Sequence, residues 1–165
     1  MMNKILKGFK LTTLGACLTL ALTTGVITTA ASAASNVDEV RAAQAAKISL
    51  KQAITIASKS ASGILISADF DEDDSDAIGK GGVYELEFST DSVNYEIKVD
   101  ANTGKIVKKE TDRLDGDDIN VYQVQKKAKT DIMKAINIAE KQTGGKILEI
   151  EFENDRDYAN HTAYY

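Results

Sequence analysis

The chain has 165 residues, 25 acidic against 20 basic, for a formal charge of −5 at pH 7, with one histidine, one cysteine and no proline. A single histidine excludes a zinc-peptidase helix of the His-Glu-x-x-His type, and no Gly-x-Ser-x-Gly elbow or Ser-x-x-Lys motif occurs. The acidic balance argues against nucleic acid and anionic lipid as partners.

Residues 1–33 contain Lys4, Lys7 and Lys10 and no acid, then an apolar stretch from Leu11 to about Ile27, then Ala30-Ala31-Ser32-Ala33. This order predicts a secretory signal peptide cut after Ala33, and so an extracytoplasmic protein, periplasmic or secreted. A membrane anchor fits less well, because Thr12, Thr13, Thr19, Thr23, Thr24 and two glycines break the stretch short of ~20 continuous apolar residues. Leu14-Gly15-Ala16-Cys17 has the shape of a lipoprotein signal, but lipidation there would leave a purposeless apolar tail. Cleavage after Ala33 removes three lysines and no acid. The remainder carries 17 basic and 25 acidic residues, a charge of −8, with no cysteine and hence no disulfide.

Residues 34–47 read as a lead-in, and a first domain follows over 48–111. Ser49 is a helix N-cap, and Gln52 completes a capping box. Leu50, Ala53, Ile54, Ala57 and Ala61 share one helical face, and Gly63 is placed to end the helix. Four strands follow: ILISADF, VYELEFS, NYEIKVD and KIVKKE. Ile64, Ile66, Ala68 and Phe70 alternate in the first, Tyr84, Leu86 and Phe88 in the second, and Tyr95, Ile97 and Val99 in the third. Residues 89–93 are short enough for a hairpin, and Asp100-Ala101-Asn102-Thr103-Gly104 supplies Asn and Gly where positive φ is needed. One apolar and one charged sheet face predict a helix laid over an antiparallel sheet.

Residues 112–127 form an acidic linker and lead-in, and 128–165 repeat the start of the first domain 82 positions later. Ala53/Ala135, Ile54/Ile136, Ile56/Ile138, Ala57/Ala139, Lys59/Lys141, Gly63/Gly145 and Phe70/Phe152 are identical pairs. Asp131 is the second cap, and Ile132, Ala135, Ile136 and Ala139 make the helix face. Gly144 and Gly145 end that helix, and Leu148, Ile150 and Phe152 form the strand face. Tyr164-Tyr165 stands where Val83-Tyr84-Glu85 opens the second strand, so the second unit reads as truncated. The expected architecture is α+β: tandem units, each a helix packed on an antiparallel sheet of three to four strands, the second incomplete. An incomplete unit leaves apolar surface and a strand edge uncovered. It then packs on the first unit, takes strands from another molecule by self-association, or stays loose.

KISLKQAITIA, the Gly63 turn, VYELEF and the closing VDANTGKIV together resemble the PepSY domain of metallopeptidase propeptides and of the spore germination protein YpeB. Val99-Asp100-Ala101-x-Thr103-Gly104-Lys105 is the most specific part. The resemblance covers 46–110 in full and 128–165 for its first half. It implies an exported, non-catalytic domain that restrains or regulates a peptidase, and it carries over no catalytic residue, cofactor or metal ligand.

Two acidic clusters, Asp69-Asp71-Glu72-Asp73-Asp74-Asp76 and Asp112-Asp115-Asp117-Asp118, raise the question of calcium. Counted from Asp69, Asp74 takes the glycine position of an EF-hand and Lys80 that of its bidentate acid, so the expectation is extended, solvated loops. His161 lies near the end with no partner in view, and Asn160-His161-Thr162 is a chance-level glycosylation triplet. The leading reading is thus a non-enzymatic module that binds and modulates an extracytoplasmic peptidase. The alternative is a small acidic protein that binds cations such as calcium, or cationic peptides.

Overall fold

The computed structural model describes residues 9–14, 37–79 and 81–152. In chain order these form β1 (Phe9–Leu14), α1 (Val37–Ala45), α2 (Leu50–Ala57), β2 (Ile64–Asp71), β3 (Val83–Ser89), β4 (Val93–Asp100), β5 (Ile106–Arg113), α3 (Gly116–Gln125), α4 (Ile132–Thr143) and β6 (Lys146–Phe152). The six strands make one sheet in the order β1-β6-β2-β3-β4-β5, with every neighbouring pair antiparallel. The class is α+β, with α2 and α4 laid on the apolar face of the sheet.

Alternation decides which face is covered. Ala68, Phe70, Tyr84, Leu86, Phe88, Ile97 and Val99 are all buried, and α2 meets them with Leu50, Ala53, Ile54 and Ala57. On the β6 side, α4 lays Ile132, Ala135, Ile136 and Ala139 over Leu148 and Ile150. Leu86, Ile97, Ile132, Ile136 and Ile150 are among the largest fully buried side chains. Burying one such side chain contributes about 1.5–3 kcal/mol, so these residues dominate the stability of the layer pair. Lys51 of α2 ties the two helices together, 2.5 Å from the Glu140 carboxylate and 3.3 Å from Asn137 Oδ1.

Both helix starts follow their caps. The Ser49 hydroxyl accepts from Gln52 N while Ser49 N donates to Gln52 Oε1 at 2.8 Å, and Asp131 accepts from Lys134 N at 2.8 Å. Gly144 ends α4 with φ 69°. The end of α2 differs from expectation. It stops at Ala57, where Ser58 Oγ donates back to Ile54 O at 2.6 Å and a tight turn follows. Hydroxyl back-bonding of this kind competes with helix continuation. Ala61 therefore packs against the core from beyond the helix. Gly63, at φ 106°, serves the crossing under β3 instead, since a Cβ there would lie 2.2 Å from Ser89 O.

Three elements were not anticipated. The lead-in holds α1, whose Ala43 reaches the core, and the linker holds α3. In α3, Asp115 Oδ1 accepts from Asp118 N at 3.1 Å, Tyr122 is buried, and Gln125 Nε2 donates to Leu65 O at 3.0 Å. The third is β1, which falls inside the segment read as a leader.

The registers around β6 have a regularity of their own. Ala68 of β2 faces Ile150 of β6, and those positions differ by 82, the spacing of the repeat. The paired strands are therefore related by a pseudo-two-fold axis through that pair. On the far side of β6, Phe9 faces Phe152, Lys10 faces Glu151, Leu11 faces Ile150 and Thr12 faces Glu149. In β2, Phe70 faces Tyr84, Asp69 faces Glu85, Ala68 faces Leu86 and Ser67 faces Glu87. Position for position, β1 stands on β6 as β3 stands on β2. The register slips at Ile66 in one ladder and at Leu148 in the other, again equivalent positions. Tyr164-Tyr165, expected to open a further strand, lies outside the described residues. So do Cys17, the Ala33 cleavage position, Asn160 and His161.

Candidate functional site: the acidic face of the sheet

The face opposite α2 and α4 is the charged one. The same alternation that buries Tyr84 and Leu86 turns Glu85 and Glu87 outward, beside Ser67 and Asp69 of β2, Glu96 and Lys98 of β4, and Glu149 and Glu151 of β6. Between them lies an open depression of about 420 Å³ lined by Ser67, Asp69, Glu85, Glu87, Glu96, Glu149 and Glu151. Its registers place like charges directly opposite: Asp69 against Glu85, and Glu87 against Glu96. Such pairs destabilise a sheet. The carboxyls respond. Desolvation, followed by the charges of Glu149, Glu39 and Asp71, pushes Asp69 up to about 6 against the bond from Phe70 N. Desolvation, with Glu96 and Asp74, also raises Glu85 despite Lys98. Glu87 is held by Ser67 Oγ at 3.1 Å and by Asn94 Nδ2.

Lys98 partly neutralises one end of this face. Its ammonium lies 2.6 Å from Asp74, 3.6 Å from Glu85, 3.7 Å from Asp76 and 3.9 Å from Glu96. The hydrogen bond to Asp74 is the main reason its pKa rises above the usual lysine value. Asp74 in turn is held low, because the bonds from Lys98 and Asp76 N outweigh its burial. The first acidic cluster is therefore not an extended, solvated loop. Its Asp74 side chain, 7% exposed, folds back onto β4 and makes the shortest contact to the largely buried Lys98. Asp71 Oδ1 accepts from Asp73 N at 2.9 Å, and Asp74 Oδ1 from Asp76 N at 2.6 Å. In the second cluster, Asp112 is exposed on β5 and Asp115 opens α3. No group of three or more His, Cys, Asp or Glu among the described residues is arranged to hold a metal ion.

Two residues beyond Lys98, at the C-terminal end of β4, Asp100 is fully buried and gathers four donors. Oδ1 accepts from Thr103 Oγ1 at 2.6 Å, Thr103 N at 2.8 Å and Asn102 N at 3.2 Å, while Oδ2 accepts from Ile78 N at 2.8 Å. Burial alone would raise this carboxyl, but the bonds, led by Thr103 Oγ1, hold it below its ordinary value. Next to it, Ala101 O accepts from Lys47 N and Ile48 N, both at 3.1 Å, and Ala101 N donates to Gly82 O. Ile48 O accepts from Tyr84 Oη at 2.7 Å, and burial moves that phenol up to about 12. The VDANTGK turn thus joins the acidic loop, the start of α2 and β3 at one buried carboxylate.

The family model described as "Peptidase propeptide and YPEB domain" matches residues 47–110. These residues are a PepSY domain. Its limits run from the Lys47 N–H that bonds the closing turn to Glu110, within the strand β5 that the turn launches. Among solved structures, a candidate lipoprotein of Clostridium difficile is similar at 24% identity and a TM-score of 0.42, over 66% of this chain and 72% of that one. No curated protein sequence matches the chain. PepSY domains are non-catalytic propeptide or regulatory domains; the acidic depression is lined by residues of the matched segment and of β6. No helix among the described residues is long and apolar enough to cross a membrane.

The acidic face was half legible in the sequence. Glu85, Glu87 and Glu96 follow from alternation, as does Asp69 opposite them. Glu149 and Glu151 join them only because β6 pairs with β2, a long-range contact that no local pattern announces. Lys98 as the partner of Asp74, 24 positions away, had no sequence signal at all.

Proposed function

We propose that the protein is an exported, non-catalytic PepSY protein that binds and restrains a peptidase outside the cytoplasm, presenting the acidic face of its sheet to a basic surface of the enzyme. The observation that carries this reading is the open depression on that face, where like carboxylates stand opposite each other and the strain is relieved when a cationic surface arrives. The family description supports a peptidase as partner, and the leader-like segment 1–33 supports the compartment. Restraint is steric: the chain covers enzyme surface and performs no chemistry. Its strength falls as salt rises, since the Debye length is only about 10 Å at 0.1 M.

Steady-state hydrolysis by thermolysin-like peptidases, with and without the purified protein, tests this directly. Slower turnover that recovers with salt, and that Glu85→Gln with Glu87→Gln weakens, is expected. Unchanged rates across several such enzymes, with none retained on immobilised protein, defeat the proposal. The same face serves the alternative, a small acidic protein that takes cationic peptides. Tight binding of a lysine-rich peptide with no effect on any peptidase favours that second reading. For calcium itself the loop is poorly placed, because Asp71 and Asp74 already accept from backbone N–H groups and Lys98.

A further inference from the structure

We infer that the outer edge of β6 is a strand-acceptor site. Segment Phe9–Leu14 fills it while the leader is attached. Once the leader is removed, it takes an extended peptide segment with apolar residues opposite Phe152 and Ile150 and a basic residue opposite Glu151. This deepens the function proposed above, resting on its export and partner binding, and names the edge that a partner segment would join.

The register is the argument. β1 occupies on β6 the station that β3 occupies on β2, through six positions and the same bulge. β3 is held in place by its own hairpin to β4. β1 comes from far away in sequence, and signal cleavage after Ala33 would remove it. An edge that keeps this register while its strand comes from a separate segment is a template for a segment from elsewhere, with the backbone ladder giving affinity and alternate side chains giving selectivity.

Charge selects the occupant. The β3 station opposite Asp69 is Glu85, a repulsive pair, whereas the β1 station opposite Glu151 is Lys10. Glu149 and Glu151 also line the acidic depression, so a strand added here widens the acidic face, and a basic residue on it completes that face favourably. A second copy of the chain suits the edge less. Two β6 strands paired antiparallel about Glu149 would set that carboxylate against its twin.

The test uses the full chain with Leu11→Pro, because proline cannot donate to the ladder and so frees the edge from within. A fluorescent peptide of residues 8–15 is titrated by anisotropy. Binding to the variant at least about tenfold tighter than to the unaltered chain is expected, since the tethered β1 outcompetes a free peptide. The peptide with Lys10→Glu should bind roughly threefold more weakly, and Glu151→Lys in the protein should reverse that preference. Equal binding to both chains, or indifference to charge at Glu151, overturns the inference. So does a concentration-dependent dimer of the variant that the peptide does not dissociate, which would give the edge to a second copy. If Leu11→Pro does not fold, hydrogen exchange of β6 in the otherwise native chain decides. Lys10→Glu should lower protection of the β6 amides and Lys10→Glu with Glu151→Lys should restore it; no change in either refutes the site. No peptidase enters these measurements, so their failure leaves the peptidase reading standing, and the reverse also holds.

Discussion

The β2 and β6 sides of the sheet begin alike and finish differently. Each starts with a capped helix of matching face, runs into a strand of matching register, and bulges at an equivalent residue. On the β2 side the chain continues through β3, β4 and the Asp100 turn, which bonds back to the start of its own helix. On the β6 side the ladder to β2 is two register pairs long, and the remaining edge is taken by β1. Repeated local sequence copies local structure faithfully. Among the described residues closure is seen on the β2 side, where it rests on the buried carboxylate of the VDANTGK turn.

Breaking the closed side should cost most. Leu86→Ala, at a fully buried position, is expected to lose roughly 2–5 kcal/mol by urea denaturation. Asp100→Ala leaves four donors without their acceptor, and a loss of about 3 kcal/mol is expected, with Asp100→Asn losing less. A loss below ~1 kcal/mol for Asp100→Ala would show that the turn does not organise the domain. Lys98→Met removes the partner of buried Asp74 and should cost roughly 2 kcal/mol, read as a lower midpoint in the same denaturation series.

The smallest effect concerns pH and has the opposite sign at Asp69 and at the pair Asp74 and Asp100. Asp69 is pushed up to about 6, so the folded state binds its proton more tightly than the unfolded chain does. Stability from this group is present below the usual carboxylate pKa of about 3.9 and declines as pH rises towards 6. Asp74 and Asp100 are held low, so their contribution is present above about 3.9 and is lost as pH falls further. Asp69→Asn should therefore stabilise the protein at pH 7 and have a much smaller effect at pH 4. Because Asp69 is exposed, screening limits the gain to about 0.5 kcal/mol. Melting temperatures at the two pH values give the answer, and equal shifts at both would contradict the assignment.

Much of the fold was legible because alternation and capping act locally. Ser49 with Gln52, Asp131, and the runs VYELEFS and KILEIEF placed helices and strands within a residue or two. The end of α2 was misjudged because Ser58 bonds backwards before Gly63 is reached. Helices α1 and α3 were missed because their apolar residues make no clear stripe, and each is anchored by few contacts, Ala43 in one and Tyr122 with Gln125 in the other. The acidic loop was misread for a related reason: its charges look solvated until Lys98 comes to meet them across the sheet.

The crossing of β2 and β6 carries one more consequence. At its axis Ala68 meets Ile150, both wholly enclosed, so a small residue is matched with a large one where symmetry would demand identical partners. Two β2 strands exchanged between molecules would set alanine against alanine and leave a hollow. Two β6 strands would crowd isoleucine on isoleucine. Complementary size at a single point thus favours the intramolecular crossing over domain-swapped assemblies.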